Sequence, residues 1–92
     1  MAQVVVTIKI MPESPDVDLN KIEAEAKEKI KAFSDNEEMK TEQEPIAFGL
    51  KAINLTFVMD EDKGSTDPLE EQLKAIEGAN SVETIDVRRA IG

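Results

Sequence analysis

The chain has 92 residues, of which 20 are Asp or Glu and 11 are Lys or Arg, for a formal net charge of −9. This length predicts one domain over residues 1–92, and this charge repels phosphate backbones and argues against direct contact with nucleic acid. Cys, His, Tyr and Trp are all absent, which excludes disulfides, thiolate chemistry, Cys-based zinc sites and imidazole catalysis.

In chain order, Gln3 to Ile10 reads as a strand. Val4, Val6, Ile8 and Ile10 share one face; Val5, Thr7 and Lys9 share the other. Pro12 and Pro15 break the following loop, Met11 to Val17. Asp18 is the expected N-cap of a helix running to about Phe33, with Leu19, Ile22, Ala26, Ile30 and Phe33 as its apolar stripe. Its other face sets Glu23 before Lys27 and Glu25 before Lys29, the order that favours i,i+4 pairing on a solvated surface. Ser34 to Glu38 is a polar loop. Met39 to Glu44 is too polar for anything but an edge strand, a placement that Pro45 tolerates.

After a turn at Phe48-Gly49, Leu50 to Met59 is a second strongly apolar strand, with Ile53, Leu55, Phe57 and Met59 on one face. The acidic turn Asp60 to Gly64 ends it. Asp67 is the expected N-cap of the second helix, with Pro68 at the first helical position and Glu70 as capping-box partner. Ser65 and Thr66 read as turn and capping residues. Leu69, Leu73 and Ile76 form the buried stripe, and Gly78 is the expected left-handed stop. Ser81 to Arg89 reads as the last strand, with Ile85 and Val87 on one face and Val82 harder to place.

The order β-α-β-β-α-β predicts an α+β fold, a ferredoxin-like α/β sandwich. The apolar first and third strands belong in the middle of an antiparallel sheet of order 4-1-3-2. Both helices cover one face, and the other stays open. That open face presents Val5, Thr7, Lys9, Ala52, Asn54, Thr56 and Val58, with no ring on which RNA bases could stack.

No enzyme signature is present: no phosphate-binding Gly-rich loop and no nucleophile elbow. An acylphosphatase-type enzyme on this fold would need an Arg-bearing phosphate loop after the first strand, where Met11 to Asp16 is acidic instead. Asp60, Glu61 and Asp62 do not follow the EF-hand spacing and read as a solvated turn; a small-molecule or metal-sensing regulatory module using them is the alternative. No cofactor, metal site or catalytic residue is expected, and no membrane partner, since no apolar run is long enough to span a bilayer. The start also lacks a basic-then-apolar leader, so a cytoplasmic location is expected.

Two features point to protein binding. The chain has three aromatic residues. Phe33 and Phe57 fall on apolar periodicities, whereas Phe48 falls on none and sits at a turn followed by Lys51. It either touches a partner or caps one end of the sheet. At the other end of the sequence, Arg88 and Arg89 stand together in an acidic chain, as a contact or as protection of an edge strand.

The segment Pro45-Ile46-Ala47-Phe48-Gly49-Leu50-Lys51, a strand to Met59 and the acidic turn Asp60-Glu61-Asp62-Lys63 resemble the elongation factor 1-beta family, whose members carry a Pro-Ile-Gly-Phe-Gly-Ile-Lys type segment there. Val82-Glu83-Thr84-Ile85-Asp86-Val87 loosely matches the family's closing motif, and the similarity covers nearly the whole chain. The resemblance implies an exchange factor that binds elongation factor 1-alpha in its GDP-bound and nucleotide-free states and disturbs the magnesium and phosphate end of its nucleotide site. No bond is broken. It implies Phe48, and Asp86 in the closing motif, as partner contacts; Gly49 and Lys51 beside the ring, and Arg88 and Arg89, are expected to join them. The chain resembles the short archaeal form. Eukaryotic members end in a Lys that enters the magnesium site; in ungapped register it falls on Gly92, which leaves Arg88, Arg89, Lys63 or the chain end to act in its place.

Overall fold

A computed structural model describes residues 3–34, 38–64 and 66–90. Ser65 and Gly92, and the side chain of Lys63, lie outside the described residues. Strands β1 (Gln3–Pro12), β2 (Met39–Pro45), β3 (Lys51–Asp60) and β4 (Ala79–Ala90) form one antiparallel sheet in the order β2-β3-β1-β4. This is the expected order read from the opposite edge. Helix α1 (Leu19–Ser34) follows β1, and α2 (Asp67–Lys74) follows β3.

The period-2 alternation of β1 and β3 decides which face is buried. Val6, Ile8, Ile10, Ile53, Leu55, Phe57 and Met59 pack with Ile22, Ala26 and Ile30 of α1 and Leu69 and Leu73 of α2 in one apolar core. Leu19 and Phe33 close its margins, half-buried. Asp18 caps α1 as expected: its Oδ1 accepts from the backbone N–H groups of Asn20 at 3.0 Å and Lys21 at 3.4 Å.

The open face is held by polar contacts. The Thr7 and Thr56 hydroxyls meet at 3.1 Å. Lys9 reaches from β1 to Glu44 on β2 at 3.5 Å. That bridge crosses β3 where Ala52 sits, and Ala52 is fully buried although it lies on the open side.

Four boundaries and placements differ from expectation. β1 runs two residues further, because Met11 and Pro12 pair with Ser81 and Ala79 of a β4 that begins earlier. The N-cap of α2 is Thr66 rather than Asp67, without a side-chain cap bond, and Glu70 does not reach back to close a capping box; its carboxylate turns to β4 instead. The helix ends at Lys74, and Gly78 (φ 94°) closes the following turn, its backbone carbonyl accepting from Glu13 N–H at 2.9 Å. Finally, Val82 (7% exposed) joins Ala79 as a core residue of β4, while Ile85 (47%) and Val87 (57%) are exposed. The pairing of β4 with β1 shifts between Thr7 and Ile8, which throws Ile85 out of phase as a β-bulge.

Candidate functional site

The connection from β2 to β3 is a single 3-10 turn, Ala47–Gly49. Ile46 N–H donates to Leu50 C=O at 2.7 Å and Leu50 N–H to Ala47 C=O at 3.3 Å, pinching the loop shut. Within it Phe48 takes φ 62°, ψ 31° and Gly49 takes φ 78°. A left-handed backbone is natural for Gly49 and strained for Phe48, since a bulky L-residue crowds the neighbouring carbonyl there. The ring is 94% exposed. Capping of the sheet's end is therefore not its role; it projects into solvent from a turn that two hydrogen bonds hold.

Gly49 and Lys51, which follow the ring in sequence, line a cleft of about 360 Å³ together with Pro15 and Val17 of the loop before α1 and Leu19 at its start. An added Cβ on Gly49 would meet nothing within 4 Å. Its conformation, not lack of space, calls for glycine.

The C-terminal candidates lie elsewhere. Asp86 is opposite Thr7 and Arg88 opposite Val5, so both belong to the open face, where Arg88 Nε and Asp86 Oδ2 form an ion pair at 2.9 Å. Arg89 is opposite Val4 on the helix side. It crosses the end of the sheet to Glu61, with Nη2 at 3.0 and 3.2 Å from the two carboxylate oxygens. The two arginines therefore face opposite ways, as neighbours on a strand must. β4 is also an edge strand, where such charges keep other chains from pairing.

Pairing separates the two groups. Arg89 lies opposite Val4, which lies opposite Met59, eight residues along β3 from Lys51; at ~3.3 Å per residue the arginine end is roughly 26 Å from the Phe48 end. The body is elongated, 42 × 21 × 19 Å, with the candidates near both ends of its sheet.

The acidic turn after β3 is partly engaged, because Glu61 is held by Arg89. Among the described residues, no three carboxylates are grouped to hold a metal ion. No helix among the described residues is long and apolar enough to cross a membrane.

One contact escaped the sequence: Glu70 Oε1 accepts from Thr84 N–H at 3.2 Å and from its hydroxyl at 3.0 Å, just before the bulge. The signal was a broken alternation. Val82 and Ile85 are three residues apart and cannot share a face of a regular strand.

The model of the EF-1 guanine nucleotide exchange domain matches residues 5–90. Elongation factor 1-beta of Methanothermobacter thermautotrophicus is 48% identical over 89 residues, covering 97% of this chain and 98% of that protein. The protein of the same name from Methanosphaera stadtmanae is 46% identical with the same coverage. That of Methanocaldococcus jannaschii is 42% identical, over 98% of this chain and 100% of that protein. The matched span takes in the Phe48 turn, the acidic turn and the bulged last strand alike, and the chain belongs to the EF-1 guanine nucleotide exchange domain family.

Proposed function

We propose that this chain, acting as one exchange domain over residues 1–92, promotes replacement of GDP by GTP on elongation factor 1-alpha in the cytoplasm, by protein contact alone. Family membership supports the class of activity. The observation that carries the contact is Phe48: a ring 94% exposed, on a strained backbone, in a turn that two hydrogen bonds keep closed. Strain of this kind persists where the surroundings enforce it, and an exposed aromatic held that way is suited to fill a partner's apolar pocket.

Phe48, Gly49 and Lys51 form one contact, and Asp86, Arg88 and Arg89 form a second at the other end of the sheet. A rigid body touching at two points so far apart engages two separate regions of its partner. One of the two arginines stands in for the invading Lys at the magnesium and phosphate end. Exposed pairs such as Arg88–Asp86 and Arg89–Glu61 contribute little to stability, so either guanidinium exchanges its carboxylate for a phosphate-side anion at small cost. No covalent step and no resident cofactor is involved.

Exchange requires tighter binding to the nucleotide-free partner than to the GDP-bound one, because a ligand shifts an equilibrium only by its differential affinity. Each tenfold preference corresponds to about 1.4 kcal/mol. The test is release of a fluorescent GDP analogue from elongation factor 1-alpha with wild-type chain, Phe48→Ala, and the double variant Arg88→Ala, Arg89→Ala. Wild-type acceleration that both variants lose is expected. Full activity of the double variant would remove the arginines from the mechanism, and no acceleration by the wild type would end the exchange reading.

A further inference from the structure

Strand β4 changes phase part-way along its length. Before the break Val82 lies opposite Ile10 and Thr84 opposite Ile8; after it Asp86 lies opposite Thr7 and Val87 opposite Val6. Ile85 is the extra residue. Opposed residues of an antiparallel pair share a face, and a slip of one residue moves every side chain to the other face. Had the earlier register continued, Asp86 would stand opposite Val6 and Arg88 opposite Val4, on the helix side. Arg89 would stand opposite Gln3 on the open side, turned away from the side on which it meets Glu61. With the bulge, Asp86 and Arg88 pair with each other on the open face and Arg89 reaches Glu61.

A side chain from another element grips the break. Glu70 of α2 takes both the backbone N–H and the hydroxyl of Thr84, the last residue of the earlier register, and Thr66 Oγ1 lies 3.4 Å from the same hydroxyl. A carboxylate accepting two bonds from one residue is a charge-assisted clamp. It sits where the ladder is interrupted and a strand is least constrained by its neighbour.

We propose that Glu70 is a positioning residue for exchange: by holding Thr84 at the bulge it sets the phase of β4, and so which side of the sheet presents Asp86 and Arg88 and which presents Arg89. The role rests on the reading of those three residues as partner contacts. Glu70 itself touches neither the partner nor the nucleotide.

The experiment combines two readouts on Glu70→Ala, Glu70→Gln and a chain lacking Ile85. NMR cross-strand contacts report whether Asp86 still lies opposite Thr7, and stopped-flow release of a fluorescent GDP analogue reports exchange. Glu70→Ala should lose the Thr7–Asp86 contact and about tenfold or more of the second-order exchange rate, the scale of effect expected when a positioned group is misplaced. Glu70→Gln should keep both, since its amide oxygen accepts the same bonds.

Without Ile85 the ladder runs unbroken and still sets Asp86 opposite Thr7. Adding Glu70→Ala to that chain should therefore leave exchange unchanged. This background also serves if Glu70→Ala alone does not fold. Retention of the Thr7–Asp86 contact in Glu70→Ala overturns the proposal. So does unaltered exchange once that contact is lost, or an equal loss of exchange with and without Ile85. A wild-type chain that does not accelerate release overturns the exchange reading and this role with it, whereas a retained contact overturns this role alone.

Discussion

Phe48 holds its backbone at φ 62°, where the crowding of an L-residue costs about 1–2 kcal/mol, and its ring, 94% exposed, recovers almost none of that through burial. Phe48→Gly removes the crowding and adds back about 0.5–1 kcal/mol of backbone entropy. The expected net effect is a stabilisation of roughly 0.5–1 kcal/mol, which for a domain of this size raises Tm by about 2–8 °C. Phe48→Ala keeps the same φ and loses only an exposed ring, so its stability should stay within about 0.5 kcal/mol of wild type. Both variants should lose exchange by ~30-fold, the effect of removing an aromatic anchor worth about 2 kcal/mol. Thermal and urea unfolding measure the first pair of effects and stopped-flow GDP release the second. A Gly variant less stable than wild type would refute the strain. An Ala variant destabilised by more than ~1 kcal/mol would mean that the ring packs against the body.

Further expectations concern the frame and the second contact. Gly78→Ala should destabilise by more than ~2 kcal/mol, because a Cβ there meets Val17 Cγ1 at 2.7 Å on a left-handed backbone. Gly64→Ala, at φ 81° and ψ −140° but in open space, should lose about 1–3 kcal/mol from backbone strain alone; a Gly78→Ala loss below ~1 kcal/mol in urea unfolding would contradict the clash. Asp18→Ala should remove about 1 kcal/mol with Asp18→Asn restoring most of it, read from unfolding midpoints. Leu73→Ala, in the core of α2, should lose roughly 2–5 kcal/mol with an unchanged urea slope. The double change Arg88→Ala, Arg89→Ala should shift stability by less than ~1 kcal/mol while abolishing exchange, a dissociation visible by running unfolding and GDP release on one preparation.

The fold was legible because β1 and β3 alternate from Val6 to Ile10 and from Ile53 to Met59 and α1 carries an apolar stripe, so pattern and burial agree there; Ala52, buried on the open side beneath the Lys9–Glu44 pair, is the exception. The exposure of Phe48 was legible in part: no stripe claimed it, but only its backbone geometry turns the ring outward. The separation of Phe48 from Arg89 follows from the strand order, since the β2-to-β3 turn and the far end of β4 must lie at opposite ends of an antiparallel sheet. What stayed hidden were the contacts made across elements. Glu70 has the spacing of a capping-box residue, and nothing local distinguishes that role from a bond to Thr84. The bulge left a trace in the interval from Val82 to Ile85, but which residue is extra depends on what β1 presents opposite.

The sheet order has a consequence for synthesis on the ribosome. Val4 pairs with Met59 on one side and with Arg89 on the other, so β1, the first strand to emerge, has both its neighbours still to be made. The β2-β3 hairpin can close locally; β1 cannot. Long-range pairing of this kind is slow and leaves apolar strand edges uncovered meanwhile. While β4 is still inside the exit tunnel, β1 with its Val, Ile and Met side chains is an open edge, and nascent chains halted at that point are where this protein most needs a chaperone.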